Sequence, residues 1–296
     1  MCKLLGVSKQ AYYKHEDTLL AKLAHESFVV EFIKDVRRKD PGIGGNKLWM
    51  MYTRAFDDDA RVGYNSFYDI IEKYGLKVRK RKKRVKTTDS AHNLPLYPNI
   101  VKCLIPERPG QLWVSDITYI PISTGLHSEE CKFCYLSLIT DYYSKEIVGW
   151  SVGDSLATKY PLEALTTALS RLDDKTLDGL IHHSDRGVQY ASYAYTSVLK
   201  TFGIRISMTE SGNPKDNAVA ERTNNTIKNE LLKGMEFHSL DDVKDAIRLA
   251  VDFYNMERPH LSLDGMTPHE ASKCTGEIRK KWYSYREMHI KRMQVG

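Results

Sequence analysis

Asp116, Asp185 and Glu221 are the residues of this chain whose types and surroundings could do chemistry. Asp116 interrupts Leu112-Trp-Val-Ser-Asp-Ile-Thr-Tyr-Ile120, an apolar stretch with strand character. An ionised side chain there is costly unless it is paired or binds a metal. Asp185 ends Gly179-Leu-Ile-His-His-Ser-Asp185, a strand running into a turn at Gly187. Glu221 comes after 35 intervening residues, within a helical stretch from Asp216 to Lys228. Carboxylates on two strand ends and a helix can converge to hold two Mg²⁺ ions, with Mn²⁺ as an alternative. Mg²⁺ prefers hard oxygen ligands and keeps several waters, so a few carboxylates suffice. Two such ions activate a water or 3′-hydroxyl, stabilise the leaving oxygen and align an in-line displacement. The expected chemistry is the cutting and joining of phosphodiester bonds. Asp116 is the expected bridging ligand, Asp185 binds one metal, and Glu221 reaches in from its helix.

The elements that must position these groups are legible from about residue 110. Strands are expected at 112–120, 133–140, 145–152, 179–184 and 204–209, with a hairpin turn at Asp141-Tyr-Tyr-Ser144. Helices are expected at 159–171, 191–202, 217–233 and 240–255, with Asn217 or Asp216 as cap of the third. Three strands followed by alternating helices and strands describe an α/β, RNase H-like fold with a mixed sheet and flanking helices. Upstream, residues 1–14 suggest two short helices around Gly6, the second capped by Ser8. Residues 18–39 suggest an amphipathic helix with Leu19, Leu23, Phe28, Ile33 and Val36 on one face. Pro41-Gly42 ends it. Helices at 45–56 and from a cap at Asn65 or Ser66 to Lys73, stopped by Gly75, form a helix-turn-helix candidate whose later helix would read a groove. The domain reading is a helical DNA-binding region with a basic arm over 1–86, a linker over 87–108, a catalytic core over 109–272 and a basic tail over 273–296.

Charge is distributed unevenly. The first hundred residues carry 20 Lys and Arg against 12 Asp and Glu, a net of +8; the remainder carries 24 against 26, a net of −2. The N-terminal third is thus the expected handle for a polyanion. Its densest part is Lys77-Val-Arg-Lys-Arg-Lys-Lys-Arg-Val-Lys86, eight basic residues in ten. Lys80, Arg81, Lys82, Lys83 and Arg84 are expected to contact DNA phosphates, against the plainer reading of a solvated linker. Five cysteines form no disulfide framework, which fits a reducing cytosol. No apolar run approaches a membrane span of about 18 residues, and no signal peptide is evident. The expected location is cytoplasmic, with no membrane partner.

The chain resembles the DDE transposases of bacterial insertion sequences, in particular the OrfB-type product of the insertion sequence 3 family. The resemblance is carried by Trp113–Tyr119, Leu138–Trp150, His183–Tyr190, Ser207–Ala218, Glu221 with Lys228, and Tyr254–His260, in family order over residues 110–270. It implies a retroviral-integrase-like core in which Asp116, Asp185 and Glu221 are the catalytic, metal-binding triad. It implies that Lys228, seven residues and two helical turns past Glu221, contacts DNA near the site. It implies strand cleavage at terminal inverted repeats, transfer of the 3′-hydroxyl to target DNA, excised circles, a homo-oligomer on DNA and an upstream-frame protein joined by frameshifting. Two segments depart from the family. Gly42-Ile-Gly-Gly-Asn-Lys-Leu-Trp49 stands where Tyr-Gly-Tyr-Arg-Arg is common, and Lys215 where an aromatic residue is usual.

Other features have plainer alternatives. Cys131-Lys-Phe-Cys134 with His127 is a weak zinc pattern and reads as incidental. His183 is expected to order its loop. Ser211–Asn217 reads as a loop before the catalytic helix and, equally, as a grip on DNA. Arg258-Pro-His260 reads first as a helix end and second as a DNA contact. Arg279–Arg286 is a basic, aromatic stretch, either a DNA-tracking tail or a solvated helix. The Tyr and Trp residues are expected mostly in the core. Two rival functions remain at this level: a metal-dependent nuclease of the same fold, and a catalytically silent DNA-binding regulator.

Overall fold

A computed structural model describes residues 8–57, 61–78, 93–123, 131–172, 178–210 and 217–279, with isolated positions near the C-terminus. The chain divides into two units at Arg81. No described helix is long and apolar enough to cross a membrane.

The first unit is helical. Helix α1 (Lys9–Lys39) is continuous over 31 residues, where the sequence suggested separate helices before and after residue 18. Neither Gly nor Pro falls between residues 9 and 39. The Thr18 hydroxyl, instead of capping a new helix, donates to the Lys14 carbonyl, so nothing interrupts the backbone ladder. The buried stripe also differs from expectation. Val29, Val30, Ile33 and Val36 are buried, whereas Leu19, Leu23 and Phe28 are exposed. The reason is length: α2 (Gly45–Ala55) and α3 (Tyr64–Lys73) span only about 16 Å each and cover the C-terminal half of α1. Phe32 meets Tyr52 and Tyr52 meets Phe67, ring to ring. Buried Glu26 accepts from Lys73 Nζ at 2.6 Å and Tyr74 Oη at 2.9 Å. Helix α3 starts after Gly63, with no side-chain cap from Asn65 or Ser66. It stops at Gly75, whose φ of +65° suits a residue without Cβ.

The second unit is built on a five-stranded mixed sheet: β1 (Leu112–Ser123), β2 (Cys131–Asp141), β3 (Ile147–Gly153), β4 (Ile181–Ser184) and β5 (Arg205–Met208), in spatial order β3-β2-β1-β4-β5. β1, β2 and β3 are antiparallel; β4 and β5 add parallel. Alternation along β1 divides the two faces. Trp113 and Ile117 pack with α4 (Lys159–Leu169), α5 (Val188–Ala191) and α6 (Tyr193–Thr201). Leu112 and Val114 pack with Ala220 of α7 (Ala218–Thr226). Helix α7 passes directly into a π-helical turn, Ile227–Leu231. Helix α8 (Leu240–Met256) starts with a Ser239–Asp242 capping box, and its Asn255 exchanges two hydrogen bonds with the Ile147 backbone. A short α9 (Pro268–Ala271) follows, with a Thr267–Glu270 capping box. Of the stretch read as a linker, Leu94, Tyr97, Val101 and Leu104 pack against the two core clusters.

Candidate active site

Sheet order places the acids of the two strands together. β1 and β4 are neighbours and parallel, pairing from Leu112 with Ile181 to Val114 with His183. Asp116, two residues past the last β1 position paired with β4, and Asp185, directly after β4, therefore lie side by side where the β1–β4 pairing ends. Asp116 Oδ1 accepts from the Ile117 amide at 2.9 Å and its Oδ2 from Asn224 Nδ2 at 2.8 Å. Asp185 Oδ1 accepts from the Gly187 amide at 2.9 Å. Asn224 lies one turn beyond Glu221 on α7, so the same helix that carries the third acid holds the first.

The electrostatics show one coupled cluster. Burial raises Asp185, with the Gly187 amide opposing it. Asp116 is pushed up to about 7, first by burial, then by the charge of Asp185, with a smaller contribution from Glu221. Burial and the charge of Asp185 together favour the protonated form of Asp116. Among the described residues no group of three His, Cys, Asp or Glu side chains is placed to hold a metal ion; Asp116 and Asp185 are near enough for the charge of one to raise the other. The donor set nevertheless suits a hard divalent cation. It is all oxygen, and the repulsion that raises Asp116 is what a bound cation would cancel. The Asn224 Oδ1 beside it is buried without a hydrogen-bond partner.

Beneath the acids runs a buried polar network. His182 Nε2 lies 2.7 Å from Ser115 Oγ and 3.0 Å from Tyr195 Oη. Burial, reinforced by neighbouring His183, drives its pKa down to about 3, so the imidazole is neutral. Asn217 sits at the N-cap position expected of it but makes no side-chain cap; its Nδ2 donates to the Ser115 carbonyl at 2.8 Å. Asp216 lies outside the described residues. The network thus links β1, β4, α6 and α7. Tyr190 packs against it, ring to ring with His182 and Tyr195. The Tyr190 hydroxyl is buried and unpartnered, and burial with the charges of Asp116 and Asp185 pushes it well above the usual phenol range. His183 bonds Ser207 Oγ at 2.9 Å, a tie between β4 and β5 where an ordering of the loop was expected.

Comparison with known proteins identifies the family. Residues 106–214 match a family model described as an integrase core domain, and residues 202–268 match a second one. The insertion element IS600 31 kDa protein of Shigella sonnei is 32% identical over 90% of this chain and 96% of its own length. The transposase for IS629 of Shigella sonnei is 31% identical over 93% and 90%. The putative transposase for IS986/IS6110 of Mycobacterium tuberculosis is 31% identical over 90% and 95%. The chain belongs to the transposases of the insertion sequence 3 family. Among solved structures, the HTLV-2 integrase catalytic core domain in complex with magnesium aligns at 20% identity and a TM-score of 0.43, over 57% of this chain and 99% of that one.

In this transposase Lys228 falls within the π turn rather than two regular turns past Glu221. Its Nζ lies 3.4 Å from the Tyr119 ring centroid, and burial lowers its pKa. Arg258 is an interior residue, 2% exposed, ion-paired to Glu230 of the same π turn and near His260. It clasps the turn to the end of α8, in line with its reading as a helix end. Cys134 is buried with its thiol toward the Ile120 carbonyl; His127 and the Cys131 side chain lie outside the described residues. So do Lys80, Arg81, Lys82, Lys83 and Arg84, and most of 279–286. Sequence reading missed Asn224, Tyr190 and the Ser115–His182–Tyr195 network. A polar residue one turn past a candidate acid was the available signal for Asn224.

Proposed function

We propose that this transposase cleaves one strand at the ends of its element with Asp116, Asp185 and Glu221, and transfers the resulting 3′-hydroxyl to a second phosphodiester. The observation that carries the reading is the pair of Asp116 and Asp185 where the β1–β4 pairing ends, with the charge of Asp185 raising Asp116 and Glu221 adding to it from α7. These three residues would hold Mg²⁺, which supplies Lewis acidity at phosphate oxygens and a more acidic attacking hydroxyl. The chain's own contribution is positioning. Asn224 and the Ile117 amide fix the rotamer of Asp116, and the Gly187 amide fixes that of Asp185. The neutral His182 bridges the strand that carries one acid to the strand that carries the other. Lys228 offers a cation at the rim for a DNA phosphate. The N-terminal helices and the Lys80–Arg84 arm would grip the terminal inverted repeats, with oligomers forming on DNA to bring two ends together.

The test is a labelled duplex carrying an element end, incubated with Mg²⁺ and a target plasmid. The expected products are a nick exposing a 3′-hydroxyl and a joined species. Loss of a partner that merely orients a ligand typically costs 10- to 100-fold, so Asp185→Asn and Glu221→Gln should lose more than about 100-fold. Nicking without joining would identify a nuclease, and neither product in the wild type would contradict the reading.

A further inference from the structure

β4 pairs with β1 only as far as Val114, whereas the β1–β2 hairpin pairs on to Ser123. The hairpin therefore continues past the acidic pair. Tyr119 stands on it, three residues past Asp116 and so on the other face of β1, about 10 Å along the strand at a rise near 3.3 Å per residue. Pro121 pairs with Phe133 and Tyr119 with Tyr135, so Phe133 is the diagonal neighbour of Tyr119. The two rings meet edge to face, with centroids 5.3 Å apart and planes at 87°. Neither ring belongs to the two core clusters, and Phe133 is 44% exposed. Core packing does not account for this pair, of which Phe133 is exposed and Tyr119 half-buried, beside Lys228. The face of Tyr119 carries the Lys228 ammonium at 3.4 Å.

We infer that Tyr119 and Phe133 form a stacking subsite for an unpaired nucleobase, with Lys228 as its phosphate-responsive cover. The inference rests on the transposase reading, which brings a phosphodiester to the adjacent acids. A lysine on an aromatic ring is held weakly compared with one on a phosphate oxyanion. When the backbone arrives, Lys228 moves to it and bares the Tyr119 face beside Phe133. A base within a duplex has both faces covered, so the ligand is a nucleotide freed from pairing, as at a frayed or cleaved end. Stacking of this kind is tolerant of base identity, so the subsite adds affinity at the end rather than sequence readout.

The experiment uses the full chain and a duplex end with 2-aminopurine as its unpaired terminal nucleotide, without divalent metal so that no strand is cut. Wild type and Tyr119→Phe should quench the fluorophore. Tyr119→Leu should lose the quench and bind the frayed end about 10-fold more weakly, the factor for roughly one missing stack, with binding to a fully paired end unchanged. Phe133→Leu, at an exposed position, should lose part of the quench, so the outcome does not depend on one variant. A wild type that leaves the fluorophore bright, or leucine variants that quench as wild type does, would overturn the subsite. Cleavage of the same duplex with Mg²⁺ is measured in parallel. Its absence in wild type would count against the transposase chemistry, while the quench still decides the stacking.

Discussion

At the residue scale, the molecule concentrates negative charge where it is hardest to keep. The Asp116 carboxyl is pushed up to about 7, far above the usual carboxylate range. A carboxyl raised on folding stabilises the fold fully below its unfolded pKa, and that contribution is lost as pH rises through the folded value. The metal-free protein should therefore lose melting temperature between about pH 4 and pH 7, the unfolded and folded limits of that titration. Asp116→Asn should flatten the slope, and Mg²⁺ should restore stability at the alkaline end. An identical slope in the variant would show that Asp116 is not the strained group. Asn224→Ala removes one of the two hydrogen bonds on Asp116 and should reduce cleavage about 10-fold with a weaker Mg²⁺ response, checked by a metal titration of rate. The acids themselves were legible in sequence because of their surroundings: a charge in an apolar strand, a charge at an apolar strand end, and a helix placed to meet them. Asn224 and Tyr190 were not, because a polar residue on a helix is ordinary until its partner across the fold is known.

At the element scale, two devices set the geometry that the acids need. The first is close approach. A Cβ on Gly149 would lie 2.1 Å from the Ala164 carbonyl, and one on Gly153 2.1 Å from the Tyr160 ring, so α4 seats directly on β3. Gly149→Ala should cost about 2 kcal/mol or more by overpacking against backbone, read by chemical denaturation; a cost under about 0.5 kcal/mol would mean that α4 can lift away. The second device is the π turn. Arg258→Ala removes the buried cation paired with Glu230, and with that carboxylate a third exposed the loss should be about 2 kcal/mol, below the range for fully buried pairs. Adding Glu230→Gln should recover part of it. Strand and helix positions in the second unit follow hydrophobic alternation and are read well from sequence. The π turn and the Gly63 start of α3 are not, since each depends on what packs nearby rather than on local propensity; the continuity of α1, by contrast, follows from the absence of Gly and Pro over residues 9–39.

At the scale of the whole molecule, charge is divided between a first hundred residues of net +8 and a remainder of net −2 that carries the integrase core. Replacing Lys80, Arg81, Lys82, Lys83 and Arg84 by Ala should weaken binding to duplex DNA and flatten log affinity against log salt by roughly 0.9 for each phosphate no longer neutralised. An unchanged slope would show that the arm does not bind phosphate. That Asp185 belongs to the group that excises and joins DNA is tested most directly in cells. A plasmid carrying the gene, any upstream frame and the flanking element ends is introduced, and the junctions of excised circles are amplified for wild type and Asp185→Asn. Junctions from wild type alone are the predicted result. Junctions from both would contradict the role assigned to Asp185.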